Sequence, residues 1–142
     1  MIFWDSSALL PLIVQEDTSD GLIQLQKENP SILIWTLTPI EVISALCRLE
    51  RMAQMSSDNL EKALQHWEIL QASLHVVKEI ESVKQRAIRL LKNHSLRAAD
   101  SLQLAAALVA FSDHPQSQSF VCLDERLSQA AKKEGFKILP PK

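Results

Sequence analysis

Four carboxylate side chains stand alone within apolar stretches of this 142-residue chain. Asp5 and Asp124 each follow a short apolar run, whereas Glu41 and Asp100 interrupt longer ones. Asp and Glu are almost never buried without a partner, so each needs a cap, an ion pair or a metal. Because there are four of them, we expect one shared reason, namely a site for a hard cation that the fold assembles.

The residue types favour magnesium or manganese over zinc. Carboxylate oxygens are the ligands that Mg²⁺ and Mn²⁺ prefer, and clustered carboxylates repel one another unless a cation is present. Zinc sites use Cys and His at characteristic spacings, which this chain lacks. Four scattered histidines are expected at the surface or the edge of the core: His66, His75, His94 and His114. The sequence therefore predicts Mg²⁺ or Mn²⁺.

Each acid also has a purely structural interpretation. Residues 38–41 (TPIE) have the form of a capping box, which alone slightly favours a cap role for Glu41. Asp124 alone is best interpreted as the cap of the next helix, and the two interpretations balance for Asp5. Asp100 lies beyond the usual cap positions if the helix starts at Ser95, and an unpaired buried carboxylate is costly. Asp100 is therefore the strongest functional candidate of the four.

Composition bounds the class of protein. A length of 142 residues with 46% hydrophobic and 23% charged residues fits one domain, 1–142. The net charge of −2 gives no overall attraction for nucleic acid, so a polyanion would need a local basic patch. Only Gly21 and Gly135 occur, which excludes a glycine-rich phosphate loop. Two core-like cysteines, no membrane span and no signal peptide lead us to expect the reducing cytoplasm.

Short apolar runs alternate with helical periods, which is typical of a parallel α/β sheet. Strands are predicted at residues 2–4, 32–35, 74–77, 120–123 and 136–139. Helices are predicted at residues 7–15, 18–28, 38–52, from 56 or 57, 79–93, 97–111 and 125–134. We expect a central sheet of about five strands flanked by helices. Ligands bind outside the carboxyl ends of such strands, where Asp5 and Asp124 would lie.

Some details of the helices can also be predicted. Helix 18–28 should open with a Thr or Ser cap, and Gly135 should end helix 125–134. Helix 97–111 is apolar almost all round, which indicates a buried helix. Helix 79–93 is amphipathic, and its spacing predicts five inward residues: Ile80, Val83, Ala87, Leu90 and Leu91.

Four segments together resemble the signature segments of PIN-domain ribonucleases, most closely the VapC-type toxins of bacterial toxin–antitoxin pairs. They are FWDSSAL (3–9), TPIEV (38–42), LRAADSLQLA (96–105) and FVCLDERL (120–127). The order and spacing match over essentially the whole chain. The resemblance implies a single PIN-like domain and a Mg²⁺- or Mn²⁺-dependent endoribonuclease acting on RNA. It also implies a cognate antitoxin as partner and a homodimer.

The resemblance places the family's acids at Asp5, Glu41, Asp100 and Asp124, as metal ligands and catalytic residues. It also places a hydroxyl next to the first acid, at Ser6, which could bind substrate by orienting the bound metal or a phosphate. A helix cap is the simpler role for that side chain. Such a site would hydrolyse phosphodiester bonds, because a bound cation lowers the pKa of water and offsets phosphate charge.

Positive side chains must hold an RNA outside the acidic centre. Arg97, three residues before Asp100, is the best candidate for a phosphate contact. Other basic residues follow Glu41 or precede Asp100 in the sequence: Arg48, Arg51, Lys84, Arg86, Arg89 and Lys92. For Lys84 and Lys92 we favour a solvated helix face. No interleaving of aromatic and basic residues indicates a base-stacking surface.

Two other functions remain open from the sequence. One is a non-catalytic PIN-fold module that binds RNA or protein, although all four acids are present. The other is a receiver-like or phosphatase-like domain that is phosphorylated on Asp5. A phosphatase of that type expects a second Asp where Ser7 stands, and a receiver expects a paired acidic cluster.

Overall fold

Five short parallel strands form one sheet in the computed structural model, which describes residues 1–141. The strands are β1 (Ile2–Trp4), β2 (Ile32–Trp35), β3 (His75–Val77), β4 (Ser119–Val121) and β5 (Lys137–Leu139). All four pairings between neighbouring strands are parallel. The predicted α/β class with a parallel sheet of about five strands is confirmed.

Seven α-helices flank the sheet within the described residues. They are α1 (Ser6–Leu9), α2 (Ser19–Glu28), α3 (Thr38–Arg51), α4 (Ser57–Gln71), α5 (Ile80–Asn93), α6 (Ala98–Ala110) and α7 (Glu125–Glu134). None of the helices between residues 1 and 141 combines the length and apolar character needed to cross a membrane.

The strand order β3-β2-β1-β4-β5 determines where a crevice can form. The chain winds from β1 to β3 in one direction and then returns to the other side of β1 with β4. Phe3 of β1 therefore pairs with Leu33 of β2 on one side and with Phe120 of β4 on the other. The connections after β1 and β4 leave the sheet on opposite faces, which opens a crevice at the carboxyl ends of these two strands.

Alternation along the strands divides the core between the two faces of the sheet. Phe3 packs against Phe120 on the face covered by α6, with ring centroids 5.3 Å apart. Trp4 packs on the opposite face, with residues of α1, α3 and α4. Eight of the 13 residues of α6 are buried, so the prediction of a buried helix is confirmed. This rigid two-sided core holds the ends of β1 and β4 in place.

Predictions for helices 7–15, 18–28 and 79–93 differ from the structure. Helix 7–15 is instead the short α1 followed by a 3₁₀ turn at Leu10–Leu12, because Pro11 cannot continue an α-helix hydrogen-bond ladder. Thr18 makes no side-chain cap bond, and α2 is instead held at its start by the buried Ser19 hydroxyl, which donates to carbonyl groups of the preceding turn. Ile80 and Leu91 of α5 are 54% and 41% exposed rather than inward.

Candidate functional site

The four predicted acids all line one cleft at the carboxyl ends of β1 and β4. The cleft has a volume of about 470 Å³, and its walls include Asp5, Glu41, Asp100 and Asp124. Asp5 follows β1, Asp124 follows β4, and Glu41 and Asp100 lie in the first turns of α3 and α6. Four segments that are far apart in the sequence therefore contribute to a single negatively charged surface.

Asp5 is held firmly by its surroundings and is only 3% exposed. Its Oδ2 atom accepts hydrogen bonds from the backbone N–H of Ser7 at 3.2 Å and from the Ser7 hydroxyl at 2.5 Å, with the Cys122 thiol at 3.4 Å. Among residues 1–141, the hydrogen-bond partner of its Oδ1 atom is the Ser6 hydroxyl alone, at 3.4 Å. The protein thus occupies one oxygen fully and leaves the other weakly bonded, on the side where Ser6 also contacts Glu41.

Glu41 is oriented by two side chains from other elements. Gln103 Nε2 of α6 donates to Glu41 Oε2 at 2.7 Å, and the Ser6 hydroxyl donates to Oε1 at 3.3 Å. The predicted capping box does not form, because Thr38 is the first helical residue and its hydroxyl accepts from the backbone N–H of Trp35. Glu41 is therefore directed into the cleft instead of back towards the end of its helix.

Asp100 has a partner that the sequence prediction did not include. The helix begins at Ala98 with Arg97 as its cap residue, so Asp100 is in the first turn. Asp100 Oδ2 lies 3.5 Å from the guanidinium Nε of Arg97. The interpretation of Asp100 as an unpaired buried acid beyond the cap positions is therefore wrong. Arg97 is 77% exposed on its side chain, so this ion pair is weak.

Asp124 and Asp5 both serve as helix caps as well as lining the cleft. Asp124 Oδ1 accepts from the backbone N–H of Leu127 at 2.9 Å at the start of α7. Asp5 does the same for Ser7 at the start of α1. The structural and functional interpretations of these acids are thus compatible, since each cap bond uses one oxygen of the carboxylate.

The acids raise one another's affinity for protons. Burial raises the pKa of Glu41 to about 7, and the charges of Asp5 and Asp100 add to this shift. Burial also raises the pKa of Asp5, with a further contribution from Asp100. The pKa of Asp100 is raised by burial and by Asp124, although Arg97 opposes the shift. The cleft therefore favours any ligand that brings positive charge.

The donor set fits a hard cation, although the carboxylates do not yet form a complete coordination group. Within residues 1–141, no three Asp, Glu, His or Cys side chains are already close enough together to hold an ion. Magnesium usually retains several waters and binds through only one or two carboxylates together with substrate phosphate oxygens. An all-oxygen cleft with a weakly bonded Asp5 Oδ1 and acids of raised pKa suits that mode of binding.

Two arginines reach the cleft, and the other basic candidates are engaged elsewhere or exposed. Arg97 and Arg48 both line it. Arg86 pairs with Asp113, Arg89 with Glu134, and Lys84 with Glu81 at the surface. His94 lies 2.6 Å from Glu134 rather than at the cleft, as expected for a histidine outside the site.

Two residues that orient the acids were missed by the sequence analysis. Ser7 joins the ends of β1 and β4, because its hydroxyl donates to Asp5 and accepts from the backbone N–H of Leu123 at 3.0 Å. Gln103 is fully buried and bonds Glu41. A signal for Gln103 was present in the sequence, since it is the only amide side chain of this helix and is surrounded by apolar residues from Leu102 to Ala110.

Comparisons with known proteins agree on one family and fold. A family model for the PIN domain matches residues 2–133. Ribonuclease VapC45 of Mycobacterium tuberculosis is 29% identical over 140 residues, which cover 99% of this chain and 95% of that protein. FitAcB from Neisseria gonorrhoeae has a similar fold, with a TM-score of 0.66, 13% identity and coverage of 97% and 96%. A toxin-antitoxin complex from Klebsiella pneumoniae contains a chain of similar fold, with a TM-score of 0.64 and 13% identity. The match covers 90% of this chain and 91% of that chain.

Proposed function

We propose, from the premise that this chain belongs to the PIN domain family, that it is a metal-dependent endoribonuclease and the toxin of a toxin–antitoxin pair. One observation carries the proposal: carboxylates from four distant segments line a single cleft at the carboxyl ends of β1 and β4. The similarity to a ribonuclease over nearly the whole chain supports RNA as the substrate. The family match also favours this function over a receiver-like or phosphatase-like domain.

The acids would hold Mg²⁺ or Mn²⁺, with Asp5, Glu41, Asp100 and Asp124 as the candidate ligands. When bound, the cation lowers the pKa of a water and offsets the charge of the phosphate. Asp5 can offer Oδ1 without breaking the hydrogen bonds that hold Oδ2. The cap hydrogen bonds of Asp5 and Asp124 would keep these carboxylates in place at the helix starts when no cation is bound.

Positive and polar groups at the rim would position the RNA. The exposed guanidinium of Arg97 lies beside Asp100 and can exchange that weak ion pair for a phosphate oxygen. The Ser6 hydroxyl lies between Asp5 and Glu41 and can donate to a phosphate or to a water in the cleft. Burial raises the pKa of Glu41 to about 7 in the metal-free cleft. A bound cation would favour the ionised carboxylate, which can accept a proton from water.

A cognate antitoxin is the proposed protein partner, and a homodimer is the proposed assembly. The fold is similar to the solved toxin-antitoxin complex from Klebsiella pneumoniae, which supports such a partner. An RNA substrate would be met in the cytoplasm, where we propose that the protein acts.

Cleavage of total RNA by the purified chain tests the proposal. With Mg²⁺ or Mn²⁺ we expect defined fragments, and with a chelator none. Asp5→Asn should abolish cleavage while preserving the fold, because Asn is an equally good helix cap. The matched control is Asp113→Asn, which removes an acid of the surface ion pair with Arg86 and should leave cleavage unchanged.

Intact RNA under all metal conditions would contradict an enzymatic function. If wild type and Asp5→Asn then retained RNA equally in a binding assay, the non-catalytic alternative would be favoured. Cleavage that persists in Asp5→Asn would indicate a contaminating nuclease or a different active site. Sequencing the 5′ ends of the fragments would identify the target.

A further inference from the structure

Gln103 is placed to connect the two helices that carry acids in the middle of the chain. It lies on α6 three residues after Asp100, so the two side chains share a face of that helix. Its amide Nε2 donates to Oε2 of Glu41 on α3 at 2.7 Å. One side chain therefore links the helix of Asp100 to the carboxylate of Glu41.

The environment of Gln103 makes this contact specific. The side chain is fully buried, in a helix whose other inward residues are mostly apolar. Burying an amide is unfavourable unless its hydrogen bonds are made, so an apolar residue would be the simpler choice for packing. The Gln103 amide also bonds the hydroxyl of Thr38, with Nε2 at 3.1 Å, and Thr38 in turn accepts from the backbone N–H of Trp35.

Hydrogen bonds to both carboxylate oxygens hold Glu41 in place. The Thr38 bonds tie Gln103 to the turn between β2 and α3, so its amide cannot rotate away without breaking them. The remaining N–H is then directed at Glu41, whose other oxygen meets Ser6. Without Gln103, a flexible glutamate with three rotatable side-chain bonds would be held by the 3.3 Å contact to Ser6 alone.

We propose that Gln103 is a positioning residue of this site, which holds the Glu41 carboxylate in the cleft through an N–H···O bond from the helix that carries Asp100. The inference rests on the proposed function of the cleft and extends it to a residue outside the cleft wall. Gln103 acts through Glu41 and does not touch the substrate or the cation.

Gln103→Met is the primary variant, because Met has a similar length and lacks both the N–H donors and the carbonyl acceptor of the amide. Its Mn²⁺ dissociation constant, measured by calorimetry without RNA, should rise about 10–100-fold, which is typical when a group that orients a metal ligand is lost. The rate of RNA cleavage in a single turnover at fixed Mn²⁺ should fall on the same scale. Leu108→Ala is the matched control, since it weakens the core beneath the same helix away from the cleft.

The double variant with Glu41→Gln separates positioning from a structural role. If Gln103 acts through the Glu41 carboxylate, then Gln103→Met should change Mn²⁺ affinity less than about twofold once that carboxylate is gone. A merely structural residue would lower affinity equally in both backgrounds. Wild-type Mn²⁺ affinity and cleavage in Gln103→Met, or equal losses in both backgrounds, would overturn the inference.

A folding defect would not prevent the test. If Gln103→Met fails to fold, Gln103→Asn retains an amide in the core but withdraws the donor from Glu41 by one methylene. It should show the same loss of affinity and cleavage, and wild-type values for it would overturn the inference. A wild-type protein that neither binds Mn²⁺ nor cleaves RNA would instead contradict the proposed function, whatever the variants do.

Discussion

At the level of single residues, Asp100 shows how one carboxylate can meet structural and chemical demands together. It is 9% exposed, lies in the first turn of α6 and faces both Arg97 and Asp124. A negative charge in the first turn also interacts favourably with the helix dipole. The structural benefit is therefore small and replaceable, whereas the function proposed for the cleft requires this negative charge.

Asp100→Asn should lower RNA cleavage about 100-fold or more, the scale on which turnover falls when one charge-stabilising group is removed. The fold should persist, because Asn has the same shape and the lost dipole interaction is worth only about 0.3–1 kcal/mol. Asp58→Asn is a suitable control, since Asp58 is an exposed acid in the first turn of α4. Cleavage of RNA by Asp100→Asn at the wild-type rate would exclude the proposed role.

Glu41 should make the stability of the metal-free protein depend on pH. Its folded-state pKa is raised from 4.5 to about 7, so the folded state holds the proton more tightly than the unfolded state. The stabilisation by the protonated form is complete below about pH 4.5 and is lost as pH rises towards 7. The free energy of unfolding in chelator should therefore fall over this range.

Glu41→Gln should remove this part of the pH dependence, because Gln does not titrate. Relative to wild type, the variant should gain stability between about pH 5 and about pH 8 in urea denaturation with chelator. Asp5 and Asp100 also have raised pKa values and contribute in the same direction. Parallel curves for the two proteins across this range would show that Glu41 titrates normally.

At the level of elements, the two glycines have opposite structural requirements. Gly135 ends α7 with φ +116°, and a Cβ there would lie 3.0 Å from Cγ of Pro115. Gly21 lies within α2, and a Cβ there would have no heavy atom within 4 Å. The same substitution should therefore have opposite effects at these positions.

Gly135→Ala should destabilise the protein by more than about 1 kcal/mol, because Ala is strained at positive φ. Gly21→Ala should stabilise it by about 0.5–1 kcal/mol, since Ala loses less backbone entropy in a helix. Thermal or urea denaturation of both variants measures the difference, and each serves as the control for the other. A stabilised Gly135→Ala would mean that α7 ends differently from the structure described here.

The helices and strands also show how much of the fold can be predicted from the sequence. The strand positions and helix α7 follow from apolar runs and from Gly135, because these signals are local. The capping box at residues 38–41 is not formed, because the Thr38 hydroxyl bonds two residues outside the motif. These are Trp35, just before it, and Gln103, far along the chain. Ile80 and Leu91 were predicted to face inward but are exposed. Helical spacing identifies the apolar face of a helix, but it does not define how much of that face the rest of the protein covers.

The site was predictable to a similar extent. The positions of Asp5 and Asp124 follow from the rule for parallel sheets, and the cleft does contain all four acids. Which residue each orienting side chain contacts was not predictable. The Gln103 contact spans 62 residues of sequence and the Ser7–Leu123 contact spans 116. Such contacts depend on packing between elements rather than on any local pattern.

At the level of the whole molecule, Mg²⁺ or Mn²⁺ should raise the melting temperature. An ion that binds only the folded state stabilises it by about 2.7 kcal/mol at 100 times its dissociation constant. The shift should be lost in Asp5→Asn, which should also be more stable than wild type in chelator, because one repelling charge is absent. Asp113→Asn should retain the full shift. An unchanged wild-type melting temperature in millimolar metal would exclude a metal site in the free protein. Only a site completed by bound RNA would then remain compatible with the proposal.

The winding of the sheet has a consequence for the synthesis of the protein on the ribosome. β4 lies between β1 and β5 and is followed by Asp124, so a chain made only as far as α6 lacks a central strand and one wall of the cleft. Strands that pair across such long separations join late in folding. Nascent chains therefore have no complete cleft, and the activity proposed for it would arise only after translation has passed β4.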